Sequence, residues 1–112
     1  MKVYTEQEFL TLQESALKNL NKFMLETLSE FSDYTEVKKS NNVDSIKQVL
    51  LKRQELEFRI EDFIIQNYPK DKEDFSVYPP ISTINTLIYF KLFNEYFSFR
   101  KKFQKALENF LQ

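Results

Sequence analysis

An all-α fold is predicted for this 112-residue chain, and three features predict it. The sequence contains no glycine, so backbone positions that need positive φ are costly to fill, and tight hairpins are disfavoured. Apolar residues recur at helical spacing over long stretches. Twelve Phe and six Tyr supply bulk for the modest core that a single domain of this size builds. The expected architecture is an antiparallel helical bundle of three or four helices, one domain spanning residues 1–112.

The first helix opens at Thr5-Glu6-Gln7-Glu8, a capping box in which Thr5 accepts from the Glu8 amide while Glu8 reaches back to Thr5. Behind it, Phe9, Leu12, Ala16, Leu20, Phe23, Leu28 and Phe31 mark one face, widened by Leu17 and Met24. This predicts a helix from about Glu6 to Ser32, fraying through Tyr34–Val37. Glu14, Lys18, Lys22 and Glu26 lie opposite, with i,i+4 pairing available.

The run from Lys38 to Asn42 has no apolar residue and is predicted as a loop. Asp44 or Ser45 is the expected cap of the second helix. Its apolar face is Ile46, Val49, Leu50, Leu56, Ile60, Phe63 and Ile64, while Leu51, Phe58 and Ile65 fall off that face. Arg53, Glu57 and Glu61 at i,i+4 spacing predict a surface salt-bridge ladder. Pro69 ends the helix near Tyr68, because the residue before a proline avoids the α region. Pro69–Val77 is a polar connection with Phe75 expected to tuck beneath it.

Pro79 and Pro80 start the closing segment, Pro80 suiting a first-turn position. From there Ile81, Ile84, Ile88, Leu92, Tyr96, Phe99, Phe103, Leu107 and Phe110 form one stripe that never loses helical phase. Tyr89, Phe90, Phe93 and Phe97 widen it, so the first half should be surrounded by the rest of the chain. Constant phase favours one helix of about 30 residues, ~45 Å at the α-helical rise. A break at Ser98, acting as an internal cap, is the alternative.

Charge is uneven although the net is −1. Residues 1–36 carry three Lys against seven acids, whereas residues 98–112 carry Arg100, Lys101, Lys102 and Lys105 against Glu108. The simplest expectation is that the acidic first helix and the basic C-terminal end pack side by side. A basic face turned to a partner or an anionic membrane surface is the other.

Catalysis has little to work with. Without His or Cys there is no Ser–His or Cys–His pair and no imidazole or thiolate metal ligand. Without Gly there is no phosphate-cradling loop. The densest carboxylates, Glu55, Glu57, Glu61 and Asp62, alternate with basic residues and are expected to be a solvated helix face, so no enzyme, metal or cofactor is predicted. Nucleic acid is not an expected partner either: Phe99 and Phe103 fall on the core stripe, so they cannot stack on bases beside the C-terminal lysines. Six aromatics in residues 89–99 remain, predicting either core packing or a patch for a hydrophobic protein partner. Met1–Glu14 has neither the basic start nor the apolar centre of a signal peptide, and the run Leu87–Phe90 is far short of a ~20-residue span, so a cytoplasmic protein is expected.

Pro79-Pro80-Ile81, Ile84, Leu87-Ile88-Tyr89-Phe90 and Phe97-Ser98, followed by Phe103 and Leu107, resemble the closing helices of the immunity proteins of pediocin-like (class IIa) bacteriocins, the enterocin A immunity type. The resemblance covers about 30 residues at the C-terminal end. It implies a cytoplasmic antiparallel four-helix bundle with a break near Ser98, which protects the producing cell by recognising the bacteriocin-engaged mannose phosphotransferase permease at the inner membrane face. The Phe97-Ser98 step comes sooner after the prolines than in that family, which keeps a three-helix bundle open. The expected partner is therefore a protein, a membrane receptor–bacteriocin complex, met at or near the membrane by Phe58, Phe97, Arg100, Lys101, Lys102 and Lys105. Two other readings fit the same composition. One is a phage- or plasmid-borne inhibitor of a host complex that uses the acidic first helix, with Glu6, Glu14 and Glu30, as a nucleic-acid mimic. The other is a toxin-secretion adaptor or chaperone anchored by Phe58 and Phe97.

Overall fold

The computed structural model describes residues 2–38, 42–68, 77–78 and 81–112. Three helices carry the fold: α1 (Glu6–Lys38), α2 (Val43–Asn67) and α3 (Ile81–Leu111). Two dipeptides, β1 (Lys2–Val3) and β2 (Val77–Tyr78), pair in parallel just before α1 and α3, Lys2 opposite Val77 and Val3 opposite Tyr78. The expected turn chemistry at Pro69, Pro79 and Pro80, and the placement of Phe75, lie outside the described residues.

Contacts between the helices give their directions: Glu30 of α1 meets Arg59 of α2, Arg53 and Glu57 of α2 meet Gln104 and Arg100 of α3, and two ring pairs join α1 to its neighbours. Phe23 of α1 stacks on Phe63 of α2 at 4.6 Å, and Phe31 of α1 meets Phe103 of α3 at 5.6 Å. Helix α2 is thus antiparallel to both neighbours, and α1 and α3 run the same way from their joined β1–β2 start. All three helices touch one another. The Cα trace measures 61 × 23 × 16 Å, with a radius of gyration of 17.8 Å against ~13 Å for a compact domain of this length. In so slender a bundle each helix meets two neighbours and keeps a broad outer face.

The capping box forms as the sequence predicts. The Glu8 amide donates to Thr5 Oγ1 at 3.1 Å, and the Thr5 amide donates to Glu8 Oε1 at 3.3 Å. Helix α1 then continues through Lys38 without fraying at Tyr34. The lysines Lys38 and Lys52, 5.4 and 5.6 Å above the Tyr34 ring, hold that end by cation–π contact. Helix α2 begins earlier than expected. Its cap is Asn42, whose side chain accepts from the Ser45 amide at 2.9 Å, so Asp44 and Ser45 are already helical. It ends at Asn67 with Tyr68 as C-cap, next to Pro69 as predicted.

Helix α3 is continuous through Ser98. The single-helix alternative holds, and the four-helix bundle with a break near Ser98 does not. An unbroken apolar phase lets Leu92, Tyr96, Phe99 and Phe103 stay in one core without bending the axis, and all four are buried. The core is otherwise Ala16, Leu20, Met24 and Phe31 of α1, Val49, Leu56, Ile60 and Ile64 of α2, and Ile84, Ile88 and Leu107 of α3. Thr27 joins it because its hydroxyl donates to the Met24 carbonyl at 2.8 Å, leaving no unsatisfied group.

Three expectations about faces are corrected. Leu12 is 43% exposed. Helix α2 ends at Asn67 beside Asn19, so Leu12, two turns earlier, has no turn of α2 next to it. Leu50 is exposed rather than buried, at the rim between α2 and α3. The first half of α3 is not surrounded: Leu87, Phe90 and Phe97 are each more than half exposed, because two neighbours cannot cover a helix that is apolar on three sides. Glu14, Lys18, Lys22 and Glu26 are exposed and form no ion pair among the described residues.

Candidate functional site

The outer seam between α2 and α3 gathers the features that packing leaves over. An open groove of about 360 Å³ runs there, lined by Leu50, Arg53, Gln54, Glu57, Phe58, Glu61 and Arg100. Leu50, Gln54, Phe58 and Glu61 recur every three or four residues, so one stripe of α2 forms this wall. Phe97 lies one turn before Arg100 on the same side of α3, with its ring 5.9 Å from Phe93 and 5.6 Å from Tyr96. Ile65 and Phe90 lie two turns from Phe58 and Phe97 on the same sides of their helices, away from Arg100. Phe58 is 58% exposed, Phe97 52% and Phe90 56%.

At the Arg100 end the floor is a charged cluster. Arg53 Nε donates to Glu57 Oε1 at 2.6 Å, and Arg100 Nη2 reaches Glu57 Oε2 at 3.0 Å. Arg53 Nη1 also donates to Gln104 Oε1 at 2.7 Å, so α2 is tied to α3 twice. The Glu57 side chain is only 12% exposed. The predicted surface ladder is therefore wrong in kind: its middle acid is enclosed between two helices and shared by two guanidinium groups. Beneath it Tyr96 is fully buried, its hydroxyl donating weakly to the Glu57 carbonyl at 3.4 Å. Burial pushes the Tyr96 phenol well above its ordinary range, with the nearby Glu57 and Glu61 charges adding to the effect.

Glu61, the third member of the expected ladder, takes part in no salt bridge or hydrogen bond among the described residues. Burial raises its carboxyl above the ordinary value, Arg100 partly opposing the rise. The four neighbouring carboxylates do not converge. Glu55 turns to Arg59 and Lys52 on the α1 side, Asp62 is exposed, and only Glu57 and Glu61 share the groove. Among the described residues no group of three acids is placed to hold a metal ion.

Of the six residues singled out in the sequence, the structure brings Phe58, Phe97 and Arg100 to one seam. It does not bring the four cations to one face. Arg100 is committed to Glu57, with its guanidinium 5.9 Å above the Tyr96 ring. Lys101 and Lys105 share the outer side of α3, one turn apart, and Lys102 points elsewhere, over the Phe99 ring at 5.1 Å. All three lysines are exposed and without an ion pair among the described residues. Phe99 and Phe103 are buried in the core, as their phase predicts.

The acidic first helix finds its charge partner in α2. Glu30 bonds Lys52 at 3.0 Å and Arg59 at 3.0 and 3.1 Å, and those partners hold its carboxyl below the ordinary range, the Lys52 bond most strongly. Helix α1 does pack beside the basic end of α3, Phe31 against Phe103, but among the described residues no ion pair joins those two helices, and the charge partner of Glu30 is α2 instead. Sequence reasoning missed the burial of Glu57 and the role of Leu50. The i,i+4 spacing of Arg53 and Glu57 fits a surface pair as well as a buried one, and only the α3 partner Arg100 separates the two.

No helix among the described residues is long and apolar enough to cross a membrane. No protein-family model matches the chain, and neither the curated proteins nor the solved structures give a match.

Proposed function

We propose that this chain is a non-catalytic binding protein of the bacteriocin-immunity kind, which acts from the cytoplasm and docks on a bacteriocin-engaged membrane receptor through the α2–α3 groove. The observation that carries the reading is the exposure, more than half each, of Phe58, which lines the groove, and of Phe97, one turn from the groove residue Arg100 on α3. A phenylalanine left in water forgoes ~2 kcal/mol or more that covering it would return. Aromatic side chains in such a position are the usual anchors of a protein contact, and a helix laid in a groove is the usual form. The segment that resembles the immunity proteins, Pro79 to Leu107, includes Phe97 and spans Arg100, the α3 residue that lines the groove.

The unbroken α3 changes how the surface would work. With no hinge at Ser98, both walls stand on rigid helices joined by the Arg53–Glu57–Arg100 cluster, so little order is lost on docking. Lys101 and Lys105, free of internal acids, sit beside the groove where they would face an anionic receptor or membrane surface. Mimicry of nucleic acid by α1 is less well supported, because Glu30 is neutralised by Lys52 and Arg59.

A protection assay tests the proposal. A bacteriocin-sensitive strain expressing the chain is challenged with a panel of pediocin-like peptides. Increased survival against one or a few of them is expected, and Phe58→Asp should remove it. Unchanged killing across the panel by a chain shown to be helical in those cells would overturn the reading.

A further inference from the structure

We infer that the occupant of the α2–α3 groove is an amphipathic helix carrying one Lys or Arg within its apolar stripe, received by Glu61. The inference rests on the groove reading above and names the chemistry of the partner.

Its length comes from the walls. Leu50 to Ile65 spans ~22 Å at the α-helical rise, which a partner helix of about four turns would cover. Its apolar stripe comes from Leu50 and Phe58, which line the groove, and from Ile65 and Phe97 on the flanking turns, each of them 45% exposed or more.

The basic residue follows from how the acids of α2 are satisfied. Glu55 has Arg59 at 2.6 Å and Lys52 at 3.5 Å. Glu57 has Arg53 at 2.6 Å and Arg100 at 3.0 Å. Glu61 lines the groove with no bonded cation, and its carboxyl already feels burial. An occupant that covers the groove removes more water from this carboxylate. Unless that occupant brings a cation, it leaves a buried carboxylate offset only by Arg100, which Glu57 already holds, and an under-compensated buried charge is costly in an interface. An acidic helix is worse by direct repulsion. A second copy of the same face is also a poor fit: it brings another Glu61, while the Arg53 and Arg100 in its groove are held by Glu57. A helix with its own Lys or Arg meets the requirement at once.

The probe is a capped 15-residue synthetic helix with Leu at i, i+4, i+7 and i+11 and a Lys inside that stripe. Two twins carry norleucine or Glu in place of the Lys. Each is titrated calorimetrically against the full chain. The Lys peptide is expected to bind about tenfold tighter than the norleucine twin and about a hundredfold tighter than the Glu twin. Glu61→Lys should reverse the order of the Lys and Glu peptides. Equal binding of all three, or binding of none, overturns the inference. Sedimentation showing a dimer that Phe58→Asp dissolves overturns it too, by giving the face to a second copy.

The protection assay separates this failure from failure of the functional reading. If Phe58→Asp removes protection while the peptides bind alike, the groove docks its partner but the basic residue is wrong. If Phe58→Asp protects as well as the unaltered chain, the groove reading itself falls.

Discussion

The two seams of α2 are built from similar residues and end in opposite states. Toward α1, Phe23 and Phe63 close against each other at 4.6 Å, and Glu30, Lys52, Glu55 and Arg59 bridge the rim, all but Lys52 about half open to water. Toward α3, the ion pairs lie inside and the aromatics lie outside: Glu57 is enclosed while Phe58 and Phe97 stand exposed. The usual order of core and rim is kept on one side and inverted on the other. Burying charge and exposing Phe both work against stability, so the α3 seam is the one where folding alone does not account for the residues present.

Removing one acid from each seam tests that contrast, and the larger effect belongs to the inverted side. Glu57→Ala leaves Arg53 and Arg100 facing each other across a space that excludes much of the water. The expected loss is about 2–4 kcal/mol, below the full cost of a broken buried pair because Arg100 is partly solvated. Urea denaturation measures it, and the loss should persist in 0.5 M salt (~4 Å screening length), since close, enclosed charges are poorly screened. A loss under about 1 kcal/mol would place Glu57 with ordinary surface pairs.

Glu30→Gln on the other seam is expected to cost only about 0.5–1 kcal/mol, and salt should erase most of it. The pH profile sharpens the comparison, because the two seams hold acids shifted in opposite directions. Glu30 is held below its ordinary value of 4.5, mainly by the Lys52 bond. The unfolded chain therefore takes up that proton first. The stability Glu30 contributes is complete above its unfolded value and is lost as pH falls through the lower folded value. Glu61 is raised above 4.5 by burial, so the folded chain binds its proton first and becomes more stable as pH falls through that value. Thermal unfolding from pH 7 to pH 3 should show a shallow rise followed by a fall. Glu61→Gln should remove the rise, and Glu30→Gln should blunt the fall. A profile unchanged by Glu61→Gln would mean that the groove leaves this carboxyl in ordinary solvent.

The same contrast marks how far the sequence alone could be followed. Period, capping and breakers operate within a helix, so the capping box at Thr5, the end of α2 before Pro69 and the core stripe of α3 are all readable from local pattern. Leu51, Phe58 and Ile65 could be placed off the main face of α2 for the same reason. Which helix lies across from that surplus is not a local property. The burial of Glu57 depends on Arg100, 43 residues later, and the pairing of Glu30 depends on Lys52 and Arg59 of α2 reaching it, although the basic end of α3 packs at the same level, Phe103 against Phe31. Charge composition by segment predicts that opposite charges will meet, but not on which seam. The continuity of α3 sits between these cases. Its phase favours one helix, while Ser98 offers a stop that packing against α1 and α2 overrides.

The smallest effect on folding carries the most weight for function. Phe58→Ser removes a large apolar side chain from an exposed site on α2, where it fills no part of the core. Little burial is lost and serine forms helix about as well as phenylalanine, so stability should move by no more than about 0.5 kcal/mol in urea denaturation. Phe63→Ser, five residues along the same helix but stacked on Phe23, should cost several times more. A destabilised Phe58→Ser would return Phe58 to the ordinary work of packing. A neutral one means that the bundle does not need the ring, and a phenylalanine exposed beside Arg100 and Glu61 then has its use in whatever the groove takes up.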